Sequence, residues 1–309
     1  MPFLKNPSDP RTRRTLLWQW AWRRPIVRRF FYEFLGLIVL RKRRFRVLNC
    51  GYSEVDYPAI SLGADSETER LGLQLYHRLV RSVSLTGADV LEVGCGRGGG
   101  AQFLAETYAP RSYWATDLSW IFIGSARLRR RSPGLRFRFA QANHLPFRAH
   151  SFDIGLSVES VHLLHDKAAF LQEMARVLRP GGRLLIADFF YARDSSPSAL
   201  TSFRKTIVES GLELDTEENW TKQAIEALEA DSPKRLAEIH RLPRVFRELA
   251  ISFASTVVSP LYQQLRDGRA MYVHFELSIP ATFPERQTTR SDDRLRQPNS
   301  IQAHVSLGM

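Results

Sequence analysis

Residues 89–100 read Asp-Val-Leu-Glu-Val-Gly-Cys-Gly-Arg-Gly-Gly-Gly, and this stretch decides the fold. A short apolar run (Val90, Leu91, Val93) ends in a cluster of glycines from Gly94 to Gly100, and a helical pattern follows over 101–107. The order is that of a buried strand, a turn poor in Cβ atoms and a helix N-terminus. Such a turn lets backbone N–H groups approach a ligand closely. Glu92 puts a carboxylate beside that gap. A pyrophosphate would be repelled there, whereas a cationic ligand would not.

The spacing alone leaves two readings open. Gly94, Gly96 and Gly99 satisfy the dinucleotide pattern G-x-G-x-x-G, so a nicotinamide or flavin site has to be considered. Asp117 closes a second strand-like run, 23 residues after Gly94, a spacing suited to a carboxylate that holds a ribose diol. Further along stand Leu145-Pro146-Phe147, Ser151-Phe152-Asp153 and Leu178-Arg179-Pro180-Gly181-Gly182, the last ahead of an apolar run, Arg183–Asp188. This ordered set, from about Glu69 to Leu277, resembles the class I S-adenosylmethionine-dependent methyltransferases. The resemblance implies an α/β, Rossmann-like fold. Its seven-stranded sheet would be mostly parallel with an antiparallel last strand and helices on both faces.

The elements read from the pattern agree with alternation of strand and helix. Strands are expected at 89–93, 112–117, 135–140, 152–158, 183–188, 212–217 and 270–278. Helices are expected at 67–83, 98–108, 119–131, 166–178 and 197–210, with Pro180-Gly181-Gly182 as a turn before the fifth strand. The expected division is a basic aromatic arm at 1–48, a methyltransferase domain at 49–279 with a helical insertion at about 220–265, and a tail at 280–309 whose polar, aperiodic sequence predicts disorder.

At 309 residues, 44% hydrophobic and 25% charged, the chain suits one large α/β domain with additions. Cys50 and Cys95 cannot build a disulfide framework, and no Cys/His cluster has zinc spacing, so no metal is expected. This usage suits a reducing, cytoplasmic compartment. The net charge of +12 is uneven: residues 1–46 hold 13 Lys/Arg against Asp9 and Glu33, which leaves +1 for the body. That distribution argues against nucleic acid as a partner of the fold itself. The arm also carries Trp18, Trp20, Trp22, Phe30, Phe31 and Phe34, while its unbroken apolar run Leu35–Leu40 is too short to span a bilayer. Residues 11–46 therefore suit peripheral contact with a membrane. A helix packed on the body and a targeting segment remain alternatives.

The resemblance assigns the cofactor, S-adenosyl-L-methionine, to named positions. Gly94, Cys95 and Gly96 would wrap its methionine part with Glu92 near the amino end. Asp117 would take the ribose hydroxyls, and Leu118 would pack by the adenine. Gln141 stands where the family usually carries an acid, but an amide carbonyl still accepts from an exocyclic amine, and Ala142 would offer its N–H.

Methyl transfer is an in-line displacement, and a hydroxyl acceptor must also lose a proton. Glu159, His162 and His165 follow the fourth strand, and Asp188 ends the fifth. Two strand ends flanking one crevice would bring His162 and Asp188 together, and the acid would fix the imidazole tautomer. Glu159 and His165 read as structural. The Glu-Ser-x-His pattern with Asp188 26 residues after His162 resembles small-molecule O-methyltransferases. A closer likeness is to the phthiotriolone dimycocerosates methyltransferase group. It rests on Asn49-Cys50-Gly51-Tyr52, Glu69-Arg70, Gln74-Leu75-Tyr76-His77, Leu91–Gly100 and Gly268-Arg269-Ala270-Met271-Tyr272. That likeness implies an apolar small-molecule acceptor, lipidic or polyketide-like, methylated on a hydroxyl. The alternatives are a carbon or nitrogen acceptor, or a non-catalytic cofactor-binding or membrane-docking protein of this fold. No pattern names the acceptor or the oligomeric state.

Overall fold

Strand β1, Asp89–Val93, lies in the interior of the sheet, with Val90 and Leu91 facing opposite ways into two apolar layers. The computed structural model describes residues 46–54, 60–63, 66–192, 198–242, 244, 247, 250, 251 and 256–281. Almost all of the basic arm, and the tail from residue 282, lie outside these residues, as do Phe246, Leu249 and Phe253 of the expected insertion.

A 3-10 turn at Glu67–Glu69 leads into α1, Arg70–Leu79. After β1 come α2 (Gly99–Tyr108), β2 (Ser112–Asp117), α3 (Trp120–Arg129), β3 (Leu135–Phe139) and β4 (Phe152–Val158). They are followed by α4 (Lys167–Val177), β5 (Leu178–Tyr191), α5 (Ala199–Glu209) and β6 (Glu213–Asn219). The order closes with α6 (Thr221–His240), α7 (Pro260–Arg266) and β7 (Ala270–Ser278). Polar side chains start several helices: Ser119 Oγ accepts from Phe122 N and Asp166 accepts from Ala169 N. Ser259 does the same for α7, with Pro260 in its first turn.

The seven strands run in the order β3-β2-β1-β4-β5-β7-β6. The first five are parallel, and β7 is antiparallel to both its neighbours. Helices α1, α2, α3, α6 and α7 supply one buried layer through residues such as Leu75, Leu104, Ile123, Leu228 and Leu265. Helices α4 and α5 supply the other through Phe170, Met174, Phe203 and Ile207. The expected fold is the observed one.

Several boundaries differ from the sequence reading: the first α-helix is Arg70–Leu79 rather than 67–83, the next four helices and β3 are trimmed by one or two residues at one or both ends, and β5 and β6 also shift. β5 begins at Leu178, which pairs with Phe152, and the register then jumps to Ile154 against Arg183. The Pro180-Gly181-Gly182 stretch is thus an irregularity within the strand, with Gly181 at φ +76°. β6 lies slightly later than expected and carries the acidic sequence of an exposed edge.

Candidate active site

The carboxyl ends of β1, β2, β4 and β5 meet at one crevice, and backbone geometry explains the glycines there. Gly94 and Gly98 have φ of +85° and +76°. A Cβ on Gly94 would lie 2.3 Å from that of Ser160, and one on Gly98 would lie 2.5 Å from the Phe137 ring. Gly96 differs: its Cβ would meet only Leu48, at 3.9 Å, and otherwise open space. Gly94 N and Cys95 N both donate to Thr116 O, at 2.8 and 2.9 Å, and tie the loop to β2. Asp117, half-buried, completes the tie by accepting from Gly96 N and Ser119 N at 2.8 Å each. Ala140 N donates to Asp117 O at 3.1 Å, which brings Gln141 and Ala142 beside Asp117 and the exposed Leu118. Burial raises the Cys95 thiol well above its ordinary range, so it stays protonated.

Glu92 lies deeper than the sequence suggests. It is fully buried, and its two oxygens accept from the hydroxyls of Tyr76 at 2.8 Å and Tyr113 at 2.9 Å. The Tyr76 ring fits because Gly100 carries no Cβ. Burial pushes the carboxyl up to about 7, against the pull of the two hydroxyls. A carboxyl whose pKa is raised on folding stabilises the fold fully below its unfolded pKa, and loses that contribution as pH rises through the folded value. Glu92→Gln should therefore melt increasingly above wild type as pH rises from 5 to 8, by an amount on the order of 2–4 kcal/mol. Thermal melts across that range check this. Parallel curves for the two proteins would sink it.

On the other side of the crevice, His162 Nδ1 and Asp188 Oδ1 are 2.6 Å apart. Asp188 has no exposed surface and also accepts from Val161 N at 2.5 Å, His162 N at 3.2 Å and Phe189 N at 2.6 Å. Burial pulls the imidazole pKa down, but the Asp188 carboxylate, its hydrogen bond and nearby Glu159 outweigh this and raise it. His165 is exposed and joins no part of this cluster.

Glu159 holds more than sequence reasoning gave it. It sits in the left-handed region at φ +48°, where a residue with a Cβ is strained. Its Oε1 accepts from Cys50 N at 2.8 Å and from the Tyr272 hydroxyl at 3.1 Å. The segment 46–53 is thereby strapped across the crevice. Gly99 N donates to Arg46 O at 3.1 Å, Asn49 Nδ2 to Gly72 O at 3.0 Å and Ser53 N to Gln223 O at 3.2 Å. Glu159 and Tyr272 were legible only as an acid after β4 and a tyrosine in a C-terminal motif.

Known proteins similar to this chain agree with that architecture. A family described as "Methyltransferase domain" matches residues 91–186. A Mycobacterium ulcerans protein named "Probable phthiotriol/phenolphthiotriol dimycocerosates methyltransferase 2" is 33% identical over 214 residues, 69% of this chain and 81% of that protein. The chain belongs to the S-adenosylmethionine-dependent methyltransferase family. The fatty-acid O-methyltransferase of Mycolicibacterium smegmatis is 45% identical over 141 residues, which span 46% of this chain and about half (52%) of that protein. Among solved structures, the [4+2]-cyclase SpnF superposes with a TM-score of 0.65 at 17% identity, over 81% of this methyltransferase and 97% of the cyclase. A geranyl diphosphate methyltransferase in complex with GPP and sinefungin gives 0.57 at 18%, over 78% and 92%. At such identities the likeness is one of fold.

The cofactor of this methyltransferase is S-adenosyl-L-methionine. The residues present fit it: open space beside Gly96, a carboxylate anchored at the end of β2, and an exposed Leu118 and Gln141 across from it. When bound, the cofactor supplies an electrophilic methyl group on a sulfonium.

Proposed function

We propose that this methyltransferase acts on a hydroxyl of a lipidic or polyketide-like small molecule, with residues 49–279 as the catalytic unit. The observation that carries the reading is the 2.6 Å contact between His162 Nδ1 and Asp188. A proton held at Nδ1 by the carboxylate leaves Nε2 as the basic nitrogen, suited to take the proton from a hydroxyl. Asp188, fixed by three backbone N–H groups, positions the ring and stabilises the imidazolium that results. Gly94, Cys95, Gly96, Asp117, Leu118, Gln141 and Ala142 would hold the cofactor, with Glu92 bracing the loop from inside the core.

An apolar acceptor fits the crevice rim. Large apolar side chains that stay exposed include Leu48 (46%), Leu118 (42%), Leu163 (39%) and Tyr191 (37%), each next to a residue of the candidate site or within three residues of one. The names of the relatives, which concern fatty acids and phthiotriols, point the same way. Among the described residues no helix is long and apolar enough to cross a membrane.

The test is to incubate purified protein with isotopically labelled cofactor and hydroxylated long-chain lipids, and to locate the label by mass spectrometry. Label on oxygen supports the reading. Label on carbon or nitrogen, or transfer confined to small polar acceptors, overturns it.

A further inference from the structure

Many arginines of the body face a carboxylate: Arg78 lies 2.8 Å from Glu218, Arg176 2.8 Å from Glu173 and Arg204 2.5 Å from Glu217. Among the described residues, Arg127, Arg130, Arg136 and Arg138 face none. They line a concavity of about 580 Å³ at the β3 edge of the sheet, together with Trp114 and Phe137. The reason lies in the sequence. Residues 118–152 contain seven arginines and no aspartate, glutamate or lysine. This segment carries +7, so the near-neutral body is a strongly positive edge offset by a net charge of −6 elsewhere.

These guanidiniums are fixed without being neutralised. Arg127 Nε and Nη2 donate to Phe137 O at 3.0 and 2.9 Å, and Arg130 Nη1 donates to Leu135 O at 3.2 Å. The helix thereby caps carbonyls of an edge strand that would otherwise invite pairing. Arg136 lies over the Trp114 ring at 5.4 Å and Arg138 over Phe147 at 5.6 Å. Beside them α3 exposes Leu128 at 89% and Trp120 at 52%.

We propose that the α3–β3 edge docks the protein on an anionic lipid surface. The charge is complementary to acidic headgroups, and arginine stems can lie along the interface with their heads toward phosphate. An aliphatic side chain exposed as fully as Leu128 gains by entering the headgroup–acyl boundary. It offers nothing to the bases of a nucleic acid, which would stack on aromatic or guanidinium planes. The proposal stands apart from the identity of the acceptor atom.

Full-length protein is sedimented with vesicles of phosphatidylcholine containing phosphatidylglycerol, and with pure phosphatidylcholine vesicles. The variants are R136Q/R138Q and Leu128→Gln, with melting and cofactor binding as controls for folding. The double variant should lose about twenty-fold in partitioning to the anionic vesicles, and Leu128→Gln several-fold. The double variant should not change binding to neutral vesicles. Residues 1–45 are present in every protein compared, so the arm's own contribution cancels. If the double variant melts early, Leu128→Gln decides, since that side chain is almost wholly exposed. Folded variants that partition like wild type overturn the proposal. So does loss of single-stranded oligonucleotide binding with vesicle binding intact.

Discussion

Replacing His162 with alanine should lower turnover by about 10²–10⁴-fold while leaving cofactor affinity within error of wild type. In barrier terms this is about 3–5 kcal/mol, the contribution of a positioned base. The expectation follows from where the ring sits: its Nδ1 is committed to a carboxylate with no exposed surface, and its Nδ1 contact with Asp188 is 2.6 Å. Structural and catalytic roles separate in the pH profile. Asp188 favours the imidazolium, so the acid-side limb, on which activity rises as His162 loses its proton, should lie above the ordinary histidine value, and Asp188→Asn should move it to lower pH. A merely structural histidine would change amplitude or stability and leave that limb in place. Wild-type turnover in His162→Ala would remove the residue from the chemistry.

The second large effect is on binding. Asp117→Ala should weaken S-adenosylmethionine by about 1.5–3 kcal/mol, the worth of a charge-assisted hydrogen bond, or roughly 10–150-fold in Kd. Two losses combine: the carboxylate is the acceptor proposed for the ribose hydroxyls, and it also pins Gly96 N and Ser119 N at 2.8 Å. Asp117→Asn keeps one acceptor oxygen and much of the shape, so it should fall between alanine and wild type. Calorimetry with S-adenosylhomocysteine measures both. A Kd for Asp117→Ala within about threefold of wild type would mean that another group holds the ribose.

The fold was legible where hydrophobic runs and turn residues act locally. β1, β2, β4 and β7 span the residues expected from their apolar runs. Pro180-Gly181-Gly182 misled because the same residues that make a turn also allow a strand to bulge and continue. β6, Glu-Leu-Asp-Thr-Glu-Glu-Asn, has little apolar alternation and is a strand because β7 pairs with it. The His162–Asp188 contact was legible because two adjacent parallel strands must bring their carboxyl ends together. Glu159 was not, since its partners Cys50 and Tyr272 lie 109 and 113 residues away and its backbone strain leaves no mark on the sequence. Nor was the arginine edge. The acid-free run 118–152 stands in the sequence behind a body charge near zero, but that its arginines share one edge shows only in the placement of α3 against β3.

The position of β7 has a consequence for how the protein is made. Among the described residues it is the last strand in sequence, yet it sits inside the sheet, and β6 pairs with no other described strand. As the polypeptide leaves the ribosome, everything from β1 to β6 emerges first. Until Ala270–Ser278 follows, β5 presents an open, largely apolar edge from Leu184 to Phe190, and Glu159 waits for the Tyr272 hydroxyl. The nascent chain therefore passes through an interval in which a ready template for intermolecular strand pairing is exposed. A premature stop or a proteolytic cut before residue 270 would make that interval permanent. Such a fragment would be a client for chaperones and degradation rather than a smaller enzyme.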